Sequence, residues 1–224
     1  MKFFEFIYLS GLSIWNHFYN FGIYLQEIKQ FYAISLLRKL DFLYMMTYAL
    51  RSPFTISAQE TRQHHLPETV TTYGETPWIT LKAILDSLHP QDPFYDLGSG
   101  TGRTLLFVHL YYHVPVVGFE IIPTFVQKTQ WLIQKLNLSS EVKISQLDWL
   151  QADLKQKGIF YIAGTCYDDE MIEKMEKKLH EIEEGSIVIT LSYHLEVDHL
   201  ELFTEAKYLF SCGKGSVYFH RRKK

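Results

Sequence analysis

The 224-residue sequence is poor in cysteine: Cys166 and Cys212 are too few for a disulfide framework and suit a reducing cytoplasm. It has no excess of positive charge. A formal net charge of −3 excludes the overall basic field of a nucleic-acid binder, so no specific nucleic-acid partner is expected. The one basic cluster, Arg221-Arg222-Lys223-Lys224, reads as a solvated tail. Nor is there a clean apolar run of about 20 residues, the length a spanning helix needs. Phe3 to Leu25 comes nearest, but it carries Glu5, Asn16, His17 and Asn20, with Gly11 and Gly22. Glu5 in the n-region, with no small-residue cleavage site after it, also argues against a signal peptide. Repeats, low-complexity segments and Pro-Pro pairs are missing. The adjacent His64 and His65 have no further ligand nearby, so no metal is expected.

What is present divides the chain in two: an aromatic-rich helical extension over residues 1–66 and a second domain over 67–224. In the extension, Leu36, Leu40, Leu43, Thr47 and Leu50 recur at helical spacing. The upstream segment reads as helix that packs on the domain. Its Trp15, Tyr19 and Tyr24 also resemble interfacial aromatics, which would place a cytoplasmic protein at a membrane surface. Ser52-Pro53 reads as a helix break followed by an irregular connection up to Val70. A new helix then starts with Thr76 as N-cap and Pro77 in first position, and ends at His89-Pro90.

From Phe94 onwards strands and helices alternate. Strands are expected over Phe94–Leu97, Val114–Glu120, Val142–Gln146, Ile159–Ala163 and Ser186–Ser192, and helices over Pro123–Leu136 and Glu170–Ile182. This alternation predicts a parallel α/β sheet covered on both faces, with ligands at the carboxyl ends of its strands. Lys207–Phe210 and Ser216–His220 flank Gly213-Lys214-Gly215, a hairpin signal, so the last strand should run antiparallel.

The chemistry is concentrated in Phe94-Tyr95-Asp96-Leu97-Gly98-Ser99-Gly100-Thr101-Gly102-Arg103. A strand that turns through glycines into a helix offers a ligand bare backbone and free N–H groups. The spacing is G-x-G-x-G, and Arg103 stands where a dinucleotide fingerprint has its third glycine. Asp96 would repel a pyrophosphate but attract the ammonium of a methionine moiety, which favours S-adenosylmethionine over NAD. Glu120, ending the next strand, can accept both ribose hydroxyls. Asp148 ends the third and can take the adenine amino group, with Trp149 covering the base. Read alone, Asp148-Trp149 is equally an N-cap followed by a core indole. Three acids at three successive strand ends select the methyl donor.

With these residues the chain resembles the class I, seven-strand methyltransferases. More narrowly, Tyr73-Gly74-Glu75-Thr76 followed by Phe94 through Arg103 resembles the disruptor-of-telomeric-silencing family of non-SET histone-lysine methyltransferases. The resemblance implies a seven-strand Rossmann-like sheet and a Tyr73–Thr76 loop folded over the methionine end of the donor. It matches the family's next-strand Glu to Glu120 and its Asp-Phe pair to Asp148-Trp149. It runs from about Thr72 to the C-terminus, where Glu184–Val188 and Lys214–Val217 are also similar, and leaves the N-terminal helices outside. Where the family has Asn-Asn-Phe beside the acceptor lysine, this chain has Gly164-Thr165-Cys166-Tyr167-Asp168-Asp169. Small lysine methyltransferases acting on membrane carriers and the ATP-synthase ring subunit look similar too.

The implied activity is methyl transfer to a lysine amine of a protein substrate. A lysine acceptor must lose its proton, which a desolvating aromatic channel favours. Tyr73, Tyr167 and Tyr193 are candidates for lining that channel, and Asp168 or Asp169 for orienting the amine, unless one of them caps the following helix. Cys166 lacks the preceding proline of pyrimidine-methylating nucleophiles and reads as a buried thiol. The alternatives are a small-molecule methyltransferase and a donor-binding module without catalysis.

Overall fold

The structure, a computed structural model, describes the backbone of residues 3–138 and 140–224, and the side chains of these except residues 3–15, 68 and 70. Four helices come first: α1 (Phe3–Phe31), α2 (Ser35–Tyr48), α3 (Pro53–Gln63) and the single turn α4 (Glu68–Thr71). Then follow α5 (Trp78–Asp86), β1 (Phe94–Leu97), α6 (Arg103–Tyr112), β2 (Val116–Glu120), α7 (Pro123–Leu136), β3 (Val142–Gln146) and β4 (Ile159–Ile162). The chain ends with α8 (Asp169–Lys178), β5 (Ile187–Leu191), β6 (Leu200–Phe210) and β7 (Gly213–Arg222).

One seven-stranded sheet results, in the order β3-β2-β1-β4-β5-β7-β6. The first five strands are parallel, and β7 runs antiparallel to both β5 and β6. All four residues of β1 and of β4 are buried, because central strands of a parallel sheet are covered on both faces. The order reverses between β1 and β4, which opens a crevice beyond their carboxyl ends.

The parallel strands and α7 lie where periodicity places them, within a few residues at each end, whereas β6 begins at Leu200, well before the Lys207–Phe210 run of the hairpin signal. Two local readings need correction. Ser52-Pro53 starts a helix as well as stopping one: the Ser52 side chain accepts from the Thr55 N–H with Pro53 in the first position, so α3 fills much of the stretch read as irregular. Thr76 is not an N-cap. Its hydroxyl pairs with the Tyr161 hydroxyl at 2.6 Å, and Pro77 takes the cap position of α5. The carboxylate of Glu27, from α1, accepts instead from the free N–H of Trp78. A cap contributed from a distant helix leaves no local pattern to read.

The helical extension is built into the core. Phe31, Leu37, Leu40 and Ile56 are fully buried in one cluster with Trp78, Phe94 and Phe107 on one sheet face. On the other face α8 brings Met171 and Met175 against Phe160 and Val188. Arg103 Nη2 ties the extension down, 3.1 Å from Glu27 and 3.3 Å from Asp41, with its guanidinium 4.4 Å from the Trp78 ring centre. Tyr24 and Tyr32 add hydroxyl donors to Asp41 at 3.0 and 2.6 Å.

Of the aromatics read as interfacial, Tyr24 is thus turned inwards. Tyr19 donates to the Phe210 carbonyl at 3.1 Å, and the Trp15 side chain lies outside the described residues. Phe18 and Phe21 are exposed instead. Among the described residues, no helix is long and apolar enough to cross a membrane.

Candidate active site

The crevice is floored by the turn after β1. Gly98, Gly100 and Gly102 all have positive φ, 92°, 51° and 72°. At Gly102 a Cβ would stand 2.4 Å from Thr129, so this glycine is what lets α7 pack against the turn. Gly100 instead faces the crevice, where a Cβ would meet only the Tyr73 ring, at 3.5 Å. The Phe119 carbonyl accepts from the N–H groups of Gly98 and Ser99, which pins the turn to β2.

Glu120 ends β2 with its carboxylate over that turn, accepting from the Gly100 N–H at 2.7 Å and the Ile122 N–H at 2.8 Å. Burial pushes its pKa up, while these N–H groups oppose the shift. Asp96, in β1, is buried beside it. Its Oδ2 finds no hydrogen-bond partner among the described residues, and burial with the nearby Glu120 charge pushes its pKa up to about 8. Ser99 Oγ is likewise unpartnered. A buried carboxyl with one oxygen unpartnered among the described residues thus lies beside the glycine turn.

The Tyr73–Thr76 loop roofs the crevice. Tyr73 packs against Phe54 and Phe125, with ring centres 5.0 and 5.6 Å apart, and its hydroxyl lies 3.3 Å from Thr101 Oγ1. Two hollows remain beneath. One, of about 70 Å³, is lined by Tyr73, Gly98, Gly100, Glu120, Phe125 and Tyr167; the other, about 30 Å³, by Glu75, Thr76, Asp96, Ser99 and Tyr161. Both are smaller than ligand pockets usually are.

The wall opposite Tyr73 is Gly164–Tyr167. Tyr193 donates to the Gly164 carbonyl at 2.6 Å and lies against Tyr167, ring centres 6.3 Å apart. Burial pushes the Tyr167 phenol up to about 12, so it stays protonated at neutral pH. Cys166 is exposed at the rim, not buried as its type suggested. Asp168 caps α8, accepting from the Met171 N–H at 2.9 Å, and its other oxygen accepts from Thr69 Oγ1 at 3.5 Å; Asp168 itself does not line the hollow.

The structure therefore brings together Tyr73–Thr76, Leu97–Thr101, Asp96, Glu120 and Tyr167. Phe94 and Tyr95 are buried in the strand behind them. Asp148 accepts from the Leu150 N–H at 3.0 Å and Trp149 is buried in the α8-side core, which is the capping arrangement; neither lines either hollow. Arg103 also lines the smaller hollow, but its guanidinium is committed to Glu27 and Asp41. One residue that sequence reasoning missed is Tyr44 of α2, which donates to Glu75 Oε1 at 2.6 Å. Phe125 and Ile122 also line the crevice without a sequence signal. Among the described residues there is no metal-binding cluster.

Solved structures with this fold include an RNA methyltransferase from Salinibacter ruber in complex with S-adenosyl-L-homocysteine. It shares 20% identity at a TM-score of 0.55, covering 67% of this chain and 94% of that one. Another is geranyl diphosphate C-methyltransferase from Streptomyces coelicolor A3(2), with Mg2+, geranyl diphosphate and S-adenosyl-L-homocysteine. It is 12% identical at a TM-score of 0.53, covering 66% of this chain and 79% of that one. At such identities they establish the fold alone, a seven-strand methyltransferase sheet with an antiparallel last strand. No curated protein matches in sequence. The family model described as "Histone methylation protein DOT1" matches residues 54–207, from α3 into β6. The chain belongs to the DOT1 family, and is an S-adenosylmethionine-dependent methyltransferase of class I.

Proposed function

We propose that this methyltransferase modifies a lysine side-chain amine of a protein. The observation that carries the reading is the Tyr73-Gly74-Glu75-Thr76 loop of a DOT1-family chain, seated on the glycine turn and facing Tyr167 across the hollow. Asp96 would take the donor's ammonium, Glu120 its ribose hydroxyls and the Gly98–Gly102 turn its backbone-hugging portion. Asp148 and Trp149 belong to this assignment as contacts to adenine, reached only if the short turn at Trp149–Gln151 shifts towards the crevice.

When bound, the donor supplies a methyl group on a good leaving group. The protein's task is to align the acceptor and keep its nitrogen uncharged. Tyr73 and Tyr167 flank the entry with aromatic surface that disfavours an ammonium and so favours loss of its proton before transfer. Transfer would form a carbon–nitrogen bond as the carbon–sulfur bond breaks, with S-adenosylhomocysteine as the leaving group and the proton of the resulting methylammonium free to pass to solvent. Asp168 would act at one remove, by fixing the start of α8 and with it the Tyr167 wall.

Incubation of the protein and labelled donor with a cell lysate tests the reading. Label should appear on protein and be recovered as methyllysine after hydrolysis. The small volume beneath Tyr73 favours a second reading, a small-molecule acceptor. Label confined to small molecules would establish that reading and overturn the first, and label confined to RNA would overturn both.

A further inference from the structure

We propose that Tyr44, which α2 contributes from the N-terminal extension, is a positioning residue that holds the Tyr73–Thr76 loop in its donor-binding shape. This rests on the assignment of that loop to the donor. The Tyr44 hydroxyl donates to Glu75 Oε1 at 2.6 Å, and its oxygen lies 3.1 Å from the Tyr73 hydroxyl and 3.1 Å from Thr101 Oγ1. One hydroxyl therefore touches two residues of the roof and one of the floor. The carboxylate is the strongest acceptor of the three, which fixes the direction of the shortest bond and leaves the phenol oxygen free to accept from Tyr73. Burial and the Glu75 charge push the Tyr44 phenol well above its ordinary range, so it remains a donor at neutral pH.

The anchor is rigid. Tyr44 shares the buried face of α2 with Leu37, Leu40, Asp41 and Tyr48. Asp41, one turn earlier, grips Arg103 at the first residue of α6. The same helix thus holds both ends of the segment from glycine turn to α6. A loop held at Glu75 before the ligand arrives loses less freedom on binding, and the gain appears as affinity.

Titration calorimetry with S-adenosylhomocysteine on the full chain tests this, using Tyr44→Phe, Glu75→Ala and the double variant. Tyr48→Phe is the control: its ring centre is 4.7 Å from that of Tyr44, but its hydroxyl finds no partner among the described residues. Tyr44→Phe keeps the ring, so the thermal midpoint should stay close to wild type while affinity falls about tenfold, the effect of one hydrogen bond to a charged group. Tyr48→Phe should bind like wild type, and the double variant no more weakly than Glu75→Ala alone. Wild-type affinity in Tyr44→Phe with a weakened Glu75→Ala would overturn the role of Tyr44 and leave the loop assignment standing. Additive losses, or a loss in Tyr48→Phe equal to that in Tyr44→Phe, would overturn it too. Undiminished affinity in Glu75→Ala would remove the loop assignment itself, and this proposal with it.

Discussion

At the residue scale, Asp96 carries the sharpest consequence. The ordinary carboxyl titrates near 3.8 and the folded one is pushed up to about 8, by burial and by the Glu120 charge. The folded state therefore holds the extra proton between those values. The stability this group contributes is fully present below the lower value and is lost as pH rises through the upper one. Asp96→Asn cannot ionise, so its urea midpoint should rise relative to wild type on going from about pH 5 to about pH 8. Donor binding should act on the same proton: an ammonium beside Asp96 favours the carboxylate, so binding at neutral pH should release a fraction of a proton. Calorimetry of S-adenosylhomocysteine in two buffers of different ionisation enthalpy checks this, and identical enthalpies would argue against the Asp96 contact. Asp96 and Glu120 were legible because an acid at the carboxyl end of an apolar strand is a local pattern. Tyr44 was not: it is one aromatic among many in α2, and its partners are 29 to 57 residues away in sequence.

At the scale of elements, the parallel strands were readable because four of the five are short, mainly apolar runs and β3 alternates apolar and polar residues. α7 was readable from end to end, Pro123 opening it and Asn137 closing it with φ 52°. What failed were two helix starts, since Ser52-Pro53 looks the same whether it ends one helix or begins another, and α5 is capped by a side chain from α1. The junction of the glycine turn with α7 is an element-scale contact that can be tested directly. Gly102→Ala puts a methyl 2.4 Å from the Thr129 side chain, at a φ of 72° that alanine rarely adopts. Overpacking and backbone strain together predict a loss of about 2–4 kcal/mol. Chemical denaturation would measure it; a change under about 0.5 kcal/mol, the size of an ordinary surface substitution, would mean that turn and helix are not in register as described.

At the scale of the molecule, the N-terminal helices are a wall of the catalytic unit, although only the sheet was announced by motifs. The extension looked separable because its composition differs and because the family resemblance began near Thr72. Yet Phe31, Leu37, Leu40 and Ile56 share one core with Trp78 and Phe107, and the family match itself reaches back to residue 54. The electrostatic join is the buried group of Arg103, Glu27 and Asp41. Removing the cation alone strands two carboxylates in the core and empties the space over the Trp78 ring. Arg103→Met should therefore cost about 3–5 kcal/mol, the usual penalty for breaking a buried ion pair. Neutralising all three, as Arg103→Met with Glu27→Gln and Asp41→Asn, removes the unpaired charges as well. It should recover most of that loss, because the pairing mainly offsets its own desolvation. Urea denaturation of wild type, single and triple variants decides between a structural join and a mere surface contact. In the first case unfolding stays one cooperative transition and the triple variant lies nearer wild type than the single. If Arg103→Met instead split the curve into two transitions, with the sheet unfolding at its wild-type midpoint, the extension would be a separate unit and its contribution to the donor site would not follow from the fold.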